Sequence, residues 1–269
     1  MREPSGERFV ALVRIMERLR ADGGCPWDRE QTRQSLKPFL IEEAYEVVEA
    51  IDEGDTEQLL EELGDLLFQV VFHAQVAAEQ GEFTIGDVLA ATADKMVRRH
   101  PHVFSDGTAS TAGEVLEQWE KLKREERNAM AAVPGSALDG VPTELPALLR
   151  AQRLQDKASR AGFDWPEISG VIAKVQEELD ELNAAIQESA PDEVELELGD
   201  LLFSLVNVAR FLNLSAEDAL RKSVARFTGR FRYMEQAVER GGRRLKEASP
   251  EEMNRLWEEA KASGRPPFA

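Results

Sequence analysis

Cysteine and histidine are scarce in this chain of 269 residues. The single cysteine, Cys25, excludes a disulfide within the chain and is typical of a reducing compartment, so we expect a cytoplasmic protein. No apolar run reaches the length needed to cross a membrane, and no sustained alternation of apolar and polar residues indicates a β-sheet. These absences predict an all-α protein without membrane spans.

Basic residues are also few compared with acidic ones. The chain has 33 Lys and Arg against 51 Asp and Glu, which leaves a formal net charge of −18. Such a surface repels nucleic acid and anionic membranes, so neither is expected as a partner. A small phosphorylated ligand is compatible with this charge only where bound cations and local basic groups hold it.

One pattern of four carboxylates occurs twice, with a shift of 135 residues between the copies. Each copy has two acids three residues apart, followed by two more in a segment that reads ELGDLLF. The acids are Glu43, Glu46, Glu62 and Asp65 in the first copy and Glu178, Glu181, Glu197 and Asp200 in the second. A duplicated set at fixed spacing predicts two copies of a metal site.

The spacing also predicts a helical hairpin in each copy. Acids three residues apart share one face of a helix. In the first copy, Gly54 lies midway between both the inner and the outer pair of acids, so a turn there would bring all four together. The corresponding midpoint in the second copy is residue 189, directly before the helix break at Ala190 and Pro191.

Clustered carboxylates repel one another unless protons or a cation intervene. A solvated acidic face is the alternative interpretation, although duplication and the neighbouring apolar residues favour a metal site. The repeated elements contain neither Cys nor His, and oxygen ligands favour Mg²⁺, or Mn²⁺, over zinc. The Glu-x-x-His motif of di-iron bundles is also absent from them.

Helix signals predict two tandem helical bundles. Expected helices cover 5–20, 36–52, 56–79, 84–100, a segment through 119, 145–160, 168–187, 192–212, 215–240 and 250–262. Residues 23–28 are expected to form a loop. The Ala-, Pro- and Gly-rich segment 131–146 predicts a linker. We therefore expect domains at 1–132 and 145–269, joined by residues 133–144.

Basic groups that could hold phosphate are more complete in the second copy. Lys222, Arg226 and Arg230 recur every four residues and form one basic stripe on a helix. Lys174 precedes Glu178 by one helical turn. A solvated basic face is the alternative interpretation of the stripe.

Aromatic candidates are present in both copies. Trp257 and Lys261 lie one turn apart near the C-terminus, where the indole could pack on a base, although core packing explains Trp257 equally well. In the first copy, Phe39 and Ala91 replace Lys174 and Lys222. The candidates that remain there are Arg98, Arg99, Trp119 and Lys123.

An ordered series of motifs resembles the MazG family of nucleoside triphosphate pyrophosphohydrolases over almost the whole chain. The motifs are GCPWDREQT at 24–32, EEAYE at 42–46, EELGDLLFQV at 61–70, RRHPHVF at 98–104, LPALLRAQ at 145–152, GFDW at 162–165 and KVQEELDE at 174–181. The resemblance implies a homodimer of tandem all-α domains, with bundles completed between subunits. It also implies Mg²⁺-dependent hydrolysis of nucleoside triphosphates to monophosphate and pyrophosphate, with broad base tolerance.

By the same resemblance, the four acids of each copy are metal ligands. The implied nucleotide contacts of the second copy are Lys174, Lys222, Arg226, Trp257 and Lys261, with Asn207 also in reach. The replacement of two lysines leaves the activity of the first copy open. The expected mechanism is metal-assisted attack of water on the α-phosphorus, in which Glu177 or Glu42 orients the water or accepts its proton, or else supports the metal ligands.

Two other functions are compatible with the same residues. One is a regulator that binds nucleotide and metal without hydrolysis. The other is a helical interaction protein whose acids lie on a solvated surface.

Overall fold

The computed structural model describes residues 5–130 and 135–262, and every regular element within these ranges is helical. The all-α prediction is confirmed. The chain divides into two compact units, Met1–Trp119 and Glu120–Ala269. Among the described residues, no single helix has the length and apolar composition of a membrane span; only a pair of helices bent by 105°, Pro191–Phe211 and Ala216–Glu239, meets that test jointly.

The first unit is built around a hairpin of two long helices. Its elements are α1 (Ser5–Arg20), α2 (Pro26–Glu30), α3 (Arg33–Glu53), α4 (Thr56–Glu79), α5 (Ile85–Arg99), α6 (Pro101–Phe104) and the start of α7 (Ala112–Met130). Helices α3 and α4 form the hairpin, and α1 packs against α4. The buried core comprises Met16, Leu36, Val71, Phe72 and Val76.

The second unit repeats this hairpin. After the end of α7, its elements are α8 (Ala147–Arg160), α9 (Ile168–Glu188), α10 (Pro191–Phe211), α11 (Ala216–Glu239), a 3-10 turn (Leu245–Glu247) and α12 (Pro250–Ala262). Helices α9 and α10 form the hairpin, α8 packs against α10, and α11 packs against α12. One core cluster lies where α11 meets α12 and contains Met234, Val238, Ala248 and Leu256.

The long helices follow the predicted bounds closely, but two short helices were not predicted. The loop expected at 23–28 is wrong from residue 26 onward, because Pro26 begins α2. Proline is preorganised for the first position of a helix. In addition, the guanidinium of Arg20 in α1 donates to the carbonyl oxygens of Asp28 and Gln31 at the end of α2. Pro101 begins α6 in the same way. Helices of four or five residues are too short for a periodic pattern.

The predicted linker is irregular wherever it is described. Residues 135–146 contain turns but no helix. Residues 131–134 lie outside the described ranges. The assignment of residues 133–144 as the link between the domains therefore stays a prediction.

Both hairpins turn through a residue in the left-handed region. Gly54 has φ of 71° and its amide donates to the carbonyl oxygen of Ala50, after which the Asp55 side chain caps α4. Ser189 occupies the corresponding position of the second hairpin, with φ of 55°. A side chain in this conformation is strained, whereas glycine is not.

Exchanging the residue types at these two turns should change stability in opposite directions. Ser189→Gly should raise the free energy of unfolding by about 0.5–1 kcal/mol, because it removes left-handed strain but gives the unfolded chain more freedom. Gly54→Ala should lower it by about 1 kcal/mol. Urea unfolding monitored by circular dichroism measures both, with Ser189→Ala as a control that keeps the strain. A loss of stability in Ser189→Gly would contradict this explanation.

Candidate metal and nucleotide site

The α3–α4 hairpin gathers the acids of the first copy. One carboxylate oxygen each of Glu43, Glu62 and Asp65 lies within 4.8 Å of the others. Desolvation raises the pKa of Glu43, and the charges of Asp65 and Glu46 raise it further. Desolvation and the charge of Glu46 likewise raise the pKa of Glu62. Glu46 therefore lies near Glu43 and Glu62, and we call these four residues the first cluster.

The α9–α10 hairpin gathers the acids of the second copy in the same way. Oxygens of Glu178, Glu197 and Asp200 lie within 4.8 Å of one another. Glu178 is buried, with 5% of its surface exposed. Desolvation raises the pKa of Glu181, followed by the charges of Glu197 and Glu178, so Glu181 belongs to this group. We call these four residues the second cluster.

A lysine contacts the second cluster directly. The Lys174 ammonium lies 2.8 Å from an oxygen of Glu177 and 2.8 Å from an oxygen of Glu178. Hydrogen bonds to Glu177 and then Glu178 raise the pKa of Lys174, so the ammonium stays charged. The first cluster has no equivalent cation at this position, because Phe39 stands there and packs against the core and against Trp27.

Both clusters fit a hard divalent cation. Their donors are all carboxylate oxygens, the ligand type preferred by Mg²⁺ and Mn²⁺. In the second cluster, the Lys174 ammonium supplies part of the positive charge that a metal ion would bring to Glu178. Each group of acids could hold one divalent cation between its carboxylates.

A buried amide supports the first cluster and was not anticipated from the sequence. Gln69 is 8% exposed, and its hydrogen bond to Glu43 opposes the rise in the pKa of that carboxyl. Gln69 follows Asp65 by four residues, so it lies on the same face of α4. The four-residue spacing between Asp65 and Gln69 is the sequence feature from which this contact could have been predicted.

The nucleotide-binding candidates of the second unit lie mainly on α11 and α12. The Arg230 guanidinium lies 5.5 Å from the centre of the Trp257 ring, and the centre of the Phe227 ring is also 5.5 Å from that of Trp257. Trp257 also packs against the α11–α12 core, so core packing accounts for part of its surface. Lys222 and Arg226 are exposed on α11. Lys261 forms an ion pair with Glu258 at 2.7 Å.

The candidates of the first copy are divided between the two units. Arg98 and Arg99 occupy the last turn of α5, and Trp119 lies 5.8 Å from His100, whose ring nitrogen is 2.6 Å from the carbonyl oxygen of Met96. Glu42 is exposed next to Glu43. Lys123 belongs to the second unit.

Lys123 forms an ion pair with Glu120. The Glu120 carboxylate lies 3.2 Å from Lys123 and 3.3 Å from Lys157. Lys123 is therefore part of an ion-pair network within the second unit.

Comparison with known proteins identifies the family. A family model described as the MazG nucleotide pyrophosphohydrolase domain matches the chain twice, at residues 31–104 and 167–234. The two matches together cover more than half of the chain, and each contains one of the acid clusters. This chain belongs to the MazG family. The predicted tandem arrangement is therefore confirmed.

Two MazG relatives match almost end to end. A Thermotoga maritima protein named nucleoside triphosphate pyrophosphohydrolase/pyrophosphatase MazG is 48% identical over 257 residues, which cover 96% of this chain and 97% of that protein. An Escherichia coli K12 protein named nucleoside triphosphate pyrophosphohydrolase is 47% identical over 253 residues, which cover 93% and 95%. The similarity therefore extends across both units.

Removing one charge from the second cluster should stabilise the metal-free protein. Desolvation and neighbouring acids raise the pKa of Glu181, so its ionised form destabilises the fold above that raised pKa. Glu181→Gln should therefore raise the free energy of unfolding in EDTA near pH 7. The gain should shrink as the pH falls through the raised pKa toward the ordinary value of 4.5, because the wild-type carboxyl then becomes neutral. Urea unfolding at several pH values measures this.

Glu195→Gln is the matched control, because Glu195 is exposed on α10, the other helix of the same hairpin, but lies outside the cluster. That variant should keep the pH dependence of the wild type. Identical behaviour of the two variants would show that the second cluster carries no excess repulsion.

Proposed function

We propose that this chain uses Mg²⁺ to hydrolyse nucleoside triphosphates to the monophosphate and pyrophosphate, and that the second cluster is the principal catalytic site. As a MazG family member, the chain is a nucleoside triphosphate pyrophosphohydrolase. The contact between Lys174 and Glu178 supports the choice of the second cluster, because it puts a phosphate-binding cation beside the acids. Phe39 replaces that cation in the first copy.

The four acids of the second cluster would hold the cation, and the first cluster would hold another. When bound, Mg²⁺ supplies positive charge to the phosphates and lowers the pKa of a coordinated water. Mn²⁺ suits the same oxygen ligands. Glu178 is the most buried of these acids, so it is the ligand whose charge most needs compensation.

Lys174 and Glu177 have distinct proposed roles. With a cation held at Glu178, the Lys174 ammonium, which lies 2.8 Å from that carboxylate, would be available to donate to a phosphate oxygen. Glu177 is exposed beside the cluster without belonging to it, so its carboxylate is available to orient the attacking water toward the α-phosphorus. Glu42 is its counterpart in the first copy.

The basic stripe and the indole would hold the rest of the substrate. Lys222, Arg226 and Arg230 offer charge to the phosphates along one face of α11, with Lys261 on α12. A base stacked on Trp257 would present the π-face that all bases share, so we propose broad base tolerance. Arg98, Arg99 and Trp119, all in the first unit, remain the proposed contacts for a nucleotide at the first copy.

Exposed apolar stripes support a homodimer. On α10 and at the equivalent positions of α4, three side chains recur along one face, each between 39% and 50% exposed. They are Leu198, Leu202 and Leu205 on α10 and Leu63, Leu67 and Val70 on α4. A hairpin that exposes such a stripe buries it when it packs against a second hairpin as a four-helix bundle. We propose that a second copy of the chain completes each bundle, and that the enzyme acts in the cytoplasm.

Product analysis tests the function. With Mg²⁺ and a series of nucleoside triphosphates, wild type should release pyrophosphate and monophosphate, resolved by ion-exchange chromatography. Glu181→Ala should lower turnover by roughly 100-fold or more, because losing a ligand costs at least as much as losing a residue that supports one. Glu46→Ala is the matched variant of the first cluster and should keep most of the turnover.

Release of orthophosphate and diphosphate would contradict the assigned bond cleavage. Nucleotide binding without turnover would instead indicate the regulator. Equal losses in Glu181→Ala and Glu46→Ala would contradict the primacy of the second cluster.

The dimer is tested by size-exclusion chromatography with light scattering. Wild type should have a mass of twice 30.1 kDa. Leu202→Glu or Leu67→Glu should shift the population toward the 30.1 kDa monomer, because each puts a charge in the buried stripe. Val10→Glu, at an exposed apolar position on α1, is the control and should stay dimeric. A monomeric wild type would overturn the dimer.

A further inference from the structure

The GFDW segment at 162–165 contributes no acid to either cluster, yet it anchors a network in the second unit. Asp164 accepts two hydrogen bonds from the Arg210 guanidinium, one of them 3.0 Å from Nη1 to Oδ2. The Ser159 hydroxyl donates to Oδ2 at 2.6 Å, and the Trp165 amide donates to Oδ1 at 2.8 Å. Four donors therefore fix the Asp164 carboxylate, and hydrogen bonds from Arg210 lower its pKa.

Arg210 extends the network to a third side chain. Its Nε donates to Oδ1 of Asn207 at 2.9 Å, and only 13% of the Arg210 side chain is exposed. A guanidinium carries donors and no acceptor, so it pairs with the oxygen of Asn207 and turns the NH2 group away from Arg210. The orientation of the Asn207 amide is thus set by Arg210, which is itself held by Asp164.

Asn207 lies on the cluster-bearing helix. It follows Asp200 by seven residues on α10, so the two share a face and are separated by about 10 Å along the axis. If the phosphates bind at the second cluster, a nucleotide directed along α10 would bring its sugar and base to this level. The NH2 group of Asn207 is therefore placed to meet the nucleoside part of a substrate.

We propose that Asp164 and Arg210 are positioning residues, which orient Asn207 so that its NH2 group donates to a hydrogen-bond acceptor on the substrate's nucleoside. The acceptor is a sugar hydroxyl or a base carbonyl, both of which suit an amide donor. This role rests on the proposed hydrolysis of nucleoside triphosphates at the second cluster.

The first unit shows that the hairpin itself does not need this network. Phe72 and Gln75 stand at the positions of Asn207 and Arg210. Phe72 is 1% exposed in the core, with the Arg20 guanidinium 5.4 Å from its ring centre. The same hairpin thus folds with an apolar residue at this level. The network occurs in the copy that also carries Lys174, which favours a role in substrate binding.

A double-mutant cycle on the full-length protein tests this role, with Mg²⁺ and ATP as the probe. Asn207→Ala should raise KM roughly three- to tenfold with little change in kcat, as expected for one lost hydrogen bond to a neutral group. Arg210→Lys keeps the charge but cannot hold Asp164 with two nitrogens and also donate to Asn207, so it should raise KM by about threefold. The double variant should resemble Asn207→Ala, because Arg210 acts through Asn207. Additive effects on KM would overturn the proposal.

Arg243→Lys is the matched control, because it likewise disrupts a bidentate ion pair. Arg243 donates to both oxygens of Glu252 at 3.0 and 2.6 Å, in the same unit. This variant should lose stability without a rise in KM, and an equal rise would show that Arg210 acts only on the fold. If Arg210→Lys does not fold, Ser159→Ala replaces it, and its smaller rise in KM should likewise vanish in the Asn207→Ala background.

Failure of the hydrolase function is distinguishable from failure of this role. Absence of turnover in wild type would contradict the function. In that case, the double-mutant cycle would use ATP affinities measured by calorimetry in place of KM. Coupling between the Arg210 and Asn207 substitutions would support the positioning role, and additive effects would overturn it.

Discussion

Repulsion among carboxylates held on one helical hairpin is the constraint on which the rest of this structure depends. The turns at Gly54 and Ser189 fix the register of each hairpin, and that register brings the acids of both helices within 4.8 Å. Desolvation and like charge then raise the pKa of Glu43, Glu62 and Glu181. A fold that keeps such a cluster does so at a cost in stability, which a bound divalent cation offsets because it binds the native state.

The two copies meet this constraint differently. In the second, Lys174 lies against the cluster and Asn207 is oriented two turns beyond Asp200. In the first, the equivalent positions hold Phe39 and Phe72, which pack in the core. The acids are thus present in both copies, whereas these two positions are polar in the second copy and pack in the core of the first. The acids therefore occur both with and without the neighbouring Lys and Asn on this hairpin.

Features with local causes were predictable from the sequence. The long helices, the hairpin turns and the convergence of the acids follow from spacing and from capping residues such as Asp55. The short helix α2 was missed because it depends on Arg20, which donates to its carbonyl groups from another helix. The link from Asp164 through Arg210 was missed for a similar reason, since those residues are 46 positions apart. Contacts between distant segments leave no periodic signal.

Counting bound cations tests the central claim most directly. Electron paramagnetic resonance with Mn²⁺ measures free and bound ions in titrations of the full-length protein. Specific Mn²⁺ ions are expected at both clusters, and Glu43→Gln should weaken binding only at the first cluster and Glu178→Gln only at the second. Mg²⁺ should displace the bound Mn²⁺, because both ions prefer carboxylate oxygens. Unaltered Mn²⁺ binding when both substitutions are combined would contradict the claim that the clusters are metal sites.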